Sequence, residues 1–84
     1  MQRAQRFVYV LKSERHPMRY YTGITSDLRA RLHAHNEGLC AHTASGRPWR
    51  FDAVVEFFDE ARAIRFEKYL KSGSGCAFAK RHLR

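Results

Sequence analysis

Hydrophobic positions along this chain fall into three short β-type runs separated by stretches of helical spacing. Phe7-Val8-Tyr9-Val10-Leu11 is a compact β-branched and aromatic run that predicts a strand, and the polar stretch from Ser13 to Pro17 predicts the turn that ends it. Arg19-Tyr20-Tyr21-Thr22-Gly23-Ile24 is a second strand segment, near enough in sequence to form a hairpin with the first. Thr25-Ser26-Asp27 supplies capping side chains ahead of a helix from Leu28 to Asn36, which turns Leu28 and Leu32 inward and stops at Gly38. Cys40 to Trp49, with Gly46 and Pro48, reads as a loop, and Phe51 to Phe58 as a third strand. A helix from Asp59 to Lys71 follows. Ser72-Gly73-Ser74-Gly75 breaks it before a short basic helix from Cys76 to Leu83. The predicted order is strand, strand, helix, strand, helix, helix, with no internal repeat, linker or low-complexity segment.

The second helix carries a charge inside its apolar arc. On a wheel of about 100° per residue, Ala63, Ile64, Phe66 and Leu70 share one side, and Arg62, Arg65 and Lys68 lie toward the other. Glu67 projects between Ala63 and Ile64, toward the expected core. An unpaired buried carboxylate costs several kcal/mol, so the group is expected to be paired, protonated or bound to a metal ion. A salt bridge to an arginine at the rim of the core is the structural alternative.

Composition narrows the reading. The 84 residues allow one domain over residues 1–84 with a thin core, and 44% hydrophobic with 13% aromatic content suits a folded protein. A formal charge of +8 and a pI near 10.2 make a polyanion the expected partner, nucleic acid before an anionic membrane. No segment approaches the ~20 apolar residues that span a bilayer. Met1-Gln2-Arg3-Ala4-Gln5-Arg6 lacks an apolar signal core, so the expected compartment is the cytoplasm. Two cysteines make no disulfide framework. Cys40, His42, Cys76 and His82 have the chemistry of zinc ligands, but their spacing matches no familiar ribbon or finger.

On the first helix, Arg31 and His35 are four residues apart and share a face bordering the Leu28/Leu32 stripe. A guanidinium can hold a phosphate through two hydrogen bonds and neutralise charge in a phosphoryl transition state. An imidazole can move a proton near neutral pH. Solvated helix residues are the alternative for both.

The order of elements and these marked residues together resemble the GIY-YIG nuclease family. Phe7-Val8-Tyr9 stands where the family has Gly-Ile-Tyr, and Tyr21-Thr22-Gly23 where it has Tyr-Ile-Gly. Arg31, His35 and Glu67 follow at the family's spacing, over nearly the whole chain. The likeness is to small single-domain members similar to the nuclease module of the excinuclease C subunit, and Glu67 to Gly75 looks like a signature of one such subfamily. The first motif keeps only its tyrosine, and the polar residue that some members carry after the glutamate has no clear counterpart. The resemblance implies an α+β fold with a three-stranded antiparallel sheet flanked by helices. It also implies a metal-dependent endonuclease acting on DNA, or on RNA, in repair or processing. In such a site Glu67 holds one Mg²⁺ or Mn²⁺ ion, Arg31 clamps the phosphate, and a water activated by a tyrosine attacks in line. Tyr9 is the first choice for that base, its pKa lowered by nearby cations, with Tyr21 orienting the water and His35 relaying the proton; Tyr21 and His35 are the other candidate bases. Core packing is the alternative for both tyrosines.

Candidates for gripping nucleic acid are Gly23, Arg47, Arg50, Lys68, Lys71, Lys80 and Arg81, with backbone amides of the Ser72 to Gly75 turn, and Trp49 as a stacking residue or a cap on the core. They form no base-reading motif, so recognition of structure, such as ends, flaps or single strands, is expected over recognition of sequence. Two non-catalytic readings compete: a nucleic-acid-binding module that needs a partner protein to cleave, and a small RNA-associated structural protein. Sequence leaves the oligomeric state open.

Overall fold

The computed structural model describes residues 6–84; the N-terminal residues 1–5, on which the compartment reading rests, lie outside it. Three strands, β1 (Arg6–Ser13), β2 (Tyr20–Thr25) and β3 (Trp49–Phe57), form an antiparallel sheet in the order β2-β1-β3. Three helices flank it, α1 (Leu28–Asn36), α2 (Glu60–Leu70) and α3 (Gly73–His82). The predicted order and the α+β class hold, and α1 has the predicted bounds.

β1 is apolar without alternation because it is central and covered on both faces. Val8, Tyr9, Val10 and Leu11 are each no more than 2% exposed. Val8 points into a layer with Ala63, Leu70 and Ala79 of α2 and α3, joined by Ile24, Phe57 and Phe66. Tyr9 and Leu11 point the other way, against Trp49, Tyr21, Leu28, Leu32 and Phe51. Strand side chains alternate between faces, so one strand seeds two thin cores, one under α2 and α3 and one under α1. The β1/β3 register shifts between Val10 and Leu11, whose partners are Ala53 and Phe51. Asp52 is thus the extra residue of a bulge, which brings Phe51 onto the Leu11 face.

Each helix is opened by a side chain that accepts an otherwise orphaned backbone N–H. Asp27 takes Ala30 N at 3.0 Å, Asp59 takes Ala61 N at 3.0 Å, and Ser72 takes Gly75 N at 3.1 Å. The third cap corrects the expected boundary: the Ser-Gly-Ser-Gly stretch is the cap and first turn of α3, because a satisfied cap outweighs weak helix propensity. Its amides at Gly75 and Cys76 donate to Ser72 Oγ and the Ser72 carbonyl. On α2 the inward stripe is Ala63, Phe66 and Leu70, while Ile64, expected inside, is 38% exposed at the stripe's rim. No helix among the described residues is long and apolar enough to cross a membrane.

The two helical glycines of α3 differ. A Cβ on Gly73 meets nothing, whereas one on Gly75 would overlap the Tyr69 carbonyl where α3 folds against α2. Gly73→Ala is therefore expected to stabilise the domain by up to about 1 kcal/mol. Gly75→Ala should destabilise it by about 1–3 kcal/mol through overpacking. Urea unfolding midpoints check both, and equal midpoints would contradict this packing.

Candidate active site

Tyr9 sits in mid-sheet on the α1 side, and its cross-strand partner is Gly23. A Cβ at Gly23 would overlap the Tyr9 hydroxyl, so the phenol lies across the space that glycine leaves. Gly23 therefore shapes the site from below; it was expected at the nucleic acid.

His35 occupies the last turn of α1 and is 1% exposed, not on a solvated edge as expected from the helix alone. Burial of an imidazole requires a partner for each nitrogen. Nε2 lies 3.0 Å from the Tyr9 hydroxyl and Nδ1 2.8 Å from Thr43 Oγ1. Thr43 is itself buried, and its hydroxyl donates to the Cys40 carbonyl at 3.3 Å. With that proton committed, Thr43 Oγ1 accepts the Nδ1–H of His35, and Nε2 is left to accept the Tyr9 O–H. Burial, then the nearby Arg31 guanidinium, lowers the His35 pKa below its usual 6.5, so the ring is neutral at pH 7.

The loop after α1 is tied down to make this possible. Gly38 closes the helix with φ 77°. Trp49 donates its indole N–H to the Thr43 carbonyl at 2.7 Å, and its backbone N–H to Asn36 Oδ1 at 2.6 Å. Ser13 donates its hydroxyl to the Gly46 carbonyl at 2.6 Å. Trp49 is 3% exposed; the core role is therefore correct and the stacking role is not.

The expectation of a lowered Tyr9 pKa is overturned. Burial, followed by the neighbouring Tyr21, raises it well above the ordinary phenol range, and the opposing attraction of Arg31 is the smaller influence. Desolvation outweighs the cation because Arg31 stays exposed, where water screens its charge. Tyr9 is thus held as a phenol with a proton acceptor already in contact.

Tyr21 is half-buried, its ring 5.0 Å from that of His35 and 6.4 Å from that of Tyr9. Glu67 approaches from α2. Its side chain is 14% exposed at the rim of the core, and its Oε2 lies 2.5 Å from the Lys71 ammonium. That nitrogen also stands 5.9 Å from the centre of the Tyr21 ring. The core-facing expectation is corrected to a rim carboxylate with a cation on it; the alternative was right in kind, with lysine in place of arginine. The carboxylate's charge is felt at Tyr9. The structure therefore brings Tyr9, Tyr21, Arg31, His35 and Glu67 together.

No group of three or more His, Cys, Asp or Glu able to hold a metal exists among the described residues, which excludes the Cys40, His42, Cys76 and His82 zinc site there. Glu67 fits a different demand. A single hard carboxylate oxygen donor at the rim, already paired with an exposed cation, suits one divalent ion.

The cations expected to grip nucleic acid separate. Arg47 folds back on its loop, its Nε donating to the Ala44 carbonyl at 2.7 Å. Arg81 lies on one flank of α3 beside Tyr69 and Phe78, and Lys80 on the other beside Tyr20 and Arg84. Arg50 is exposed opposite Lys12, and Lys68 is exposed on α2. Thr43 is the site residue that sequence reasoning missed. It lies eight positions from His35 in a loop without periodicity, and no local pattern marks it.

The sequence model of the GIY-YIG catalytic domain matches residues 5–76. The structure-specific endonuclease subunit SLX1 of Scheffersomyces stipitis is 40% identical over 67 residues, which cover 71% of this chain and 20% of that protein. The chain thus spans about a fifth of the length of that relative.

The hydrogen accounting predicts a neutral His35 carrying its proton on Nδ1 at pH 7, with a titration midpoint below 6.5. Long-range ¹H–¹⁵N correlation spectra of the ring read both; a proton on Nε2 would reverse the direction of the Tyr9 hydrogen bond.

Proposed function

The chain belongs to the GIY-YIG catalytic domain family, and from that membership and the Tyr9–His35 pair we propose a divalent-ion-dependent endonuclease that hydrolyses phosphodiester bonds in DNA. The observation that carries the mechanism is a buried phenol in hydrogen-bond contact with a bare imidazole nitrogen, 3.0 Å apart, beside an exposed guanidinium and a rim carboxylate.

Because burial disfavours a free phenolate, Tyr9 does not wait as a preformed base. It takes a proton from the attacking water while its own passes to His35 Nε2, so no isolated charge forms on the phenol. Thr43 Oγ1 accepts the Nδ1–H throughout and fixes the tautomer that makes this transfer possible, which makes Thr43 a positioning residue. Arg31 binds the non-bridging oxygens and offsets the charge that grows on them. Tyr21, more exposed than Tyr9, orients the water or the phosphate.

Glu67 would hold the ion, proposed as Mg²⁺ or Mn²⁺, through the carboxylate that faces the Lys71 ammonium. When bound, the ion supplies Lewis-acid stabilisation of the scissile phosphate and its leaving oxygen. Lys71, beside Tyr21, serves as a phosphate contact. The relative is named as a subunit of a structure-specific endonuclease; we extend to this chain a preference for nucleic-acid structure over sequence and a partner protein. A cytoplasmic location is proposed on the basic composition, which suits a nucleic-acid partner.

Glu67→Gln should abolish cleavage of labelled single-stranded, duplex, flapped and branched DNA in Mg²⁺ or Mn²⁺ while leaving binding in EDTA within about twofold, since an ion pair with the exposed Lys71 at the rim contributes little else. An RNA panel run beside it reads substrate preference. Cleavage that survives the substitution would sink the assignment of Glu67, and no cleavage by the wild type would leave a binding module.

For the relay, Thr43→Val leaves the Nδ1–H unsatisfied and is expected to cost about 1–3 kcal/mol in stability. Its single-turnover rate should fall at least tenfold with KM unchanged, and Thr43→Ser should restore both. A valine variant as active as the wild type would remove Thr43 from the mechanism.

A further inference from the structure

Lys71, Lys80 and Arg84 lie beside β2, the outer strand of the sheet. Two depressions meet there. One, of about 290 Å³, is bounded by Tyr20 and Tyr21 of β2, by Lys71 past the end of α2, and by Ala79 and Arg84. The other, of about 250 Å³, continues from Tyr20 and Arg84 to Lys80 and Met18. Lys71 stands at the inner end, in contact with Glu67 and over the Tyr21 ring, so the groove opens from the catalytic site. At its outer end the strand register sets Tyr20, Lys12 and Arg50 in one row across the sheet.

The Tyr20 ring organises this end. The Arg84 guanidinium lies 4.7 Å from its centre and the Lys12 ammonium 6.0 Å, both within cation–π reach of one face or rim. No acidic residue lines either depression. Among the described residues, Lys12, Arg50, Lys80 and Arg84 form no ion pair. Uncompensated like charges held close raise the energy of the free protein, and a polyanion relieves it. The same α3 helix divides its cations: Lys80 and Arg84 face this groove, whereas Arg81 lies on the flank with Tyr69 and Phe78.

We propose that this groove carries the substrate strand away from the scissile phosphate, over the edge of β2, with successive phosphates against Lys71, Arg84 and Lys80 and then the Lys12 and Arg50 row. Tyr20 holds Arg84 and Lys12 in place and reads no base. The occupant is a phosphodiester chain. Its continuity with the scissile phosphate rests on the nuclease reading, but its binding does not.

The test is therefore made without catalysis. Fluorescence anisotropy in EDTA measures the full chain against a labelled single strand of roughly 12 nucleotides, within the range a basic groove occupies, and against a duplex of equal length. Lys12→Gln combined with Lys80→Gln should weaken binding about tenfold and flatten the log Kd against log salt slope by roughly 1.4 for a single strand, two phosphate contacts at about 0.7 each. Arg62→Gln combined with Arg65→Gln, exposed on α2 away from the groove, removes the same charge and should leave both readouts within about twofold. Urea midpoints confirm that all chains fold. Loss confined to the single strand, or shared by the duplex, supports the groove and tells which form enters it. Equal weakening by both double variants would mean diffuse attraction only and overturn the proposal, as would an unchanged Kd for the Lys12/Lys80 chain. Because no cleavage is read, failure here is separate from failure of the nuclease assignment.

Discussion

A buried imidazole needs a partner for each of its nitrogens, and here those partners come from two elements far apart in sequence. Tyr9 arrives from the central strand and Thr43 from the loop after α1. Meeting that requirement explains much of the surrounding design. Gly23 has no side chain because the phenol lies across it, and Trp49, Asn36 and Ser13 pin the loop through hydrogen bonds. The same bonds determine which nitrogen of His35 is bare, so a structural demand and a chemical capability are one arrangement. An unpaired buried donor or acceptor costs about 1–3 kcal/mol, a large share of what so small a domain has in reserve.

Size forces this economy. The central strand is covered on both faces, and its two cores are thin. Tyr9 is therefore both a core residue and the candidate base, and Trp49, expected to meet substrate, is used to hold the loop. At the rim, the Arg31 guanidinium and the Lys71 ammonium are exposed to meet an anion. In the proposed mechanism a dry half moves a proton and a wet half holds charge.

Periodicity and capping made the fold legible. The three β-type runs, Asp27 ahead of an apolar stripe and the helical spacing from Asp59 to Lys71 each lead to the element they predict. Ser72-Gly73-Ser74-Gly75 reads as a break in the sequence, and only the close approach of Gly75 to the Tyr69 carbonyl explains why glycine belongs inside that helix. Within the site, Glu67 stood out because a charge in an apolar arc is anomalous on one helix alone. His35 did not stand out as buried, since what covers it comes from β1 and a loop with no periodicity. Thr43 was invisible for the same reason. The direction of the Tyr9 pKa shift went wrong because sequence shows which cations are near but not how much water is excluded. The family's spacing supplied the site's membership, and the tertiary contacts supplied its wiring.

The most direct test of that wiring is the single-turnover cleavage rate as a function of pH at saturating divalent ion, for the wild type, Tyr9→Phe and His35→Gln. A neutral His35 must accept the proton, and its folded-state pKa is depressed by burial and by Arg31. The wild-type rate should therefore be level near pH 7 and fall on acidification with a midpoint below 6.5, while both variants lose at least 100-fold, the lower end of what a positioned acid–base group contributes. A Tyr9→Phe chain that cleaves at the wild-type rate, or a wild-type profile with no acid limb from His35, would contradict the account.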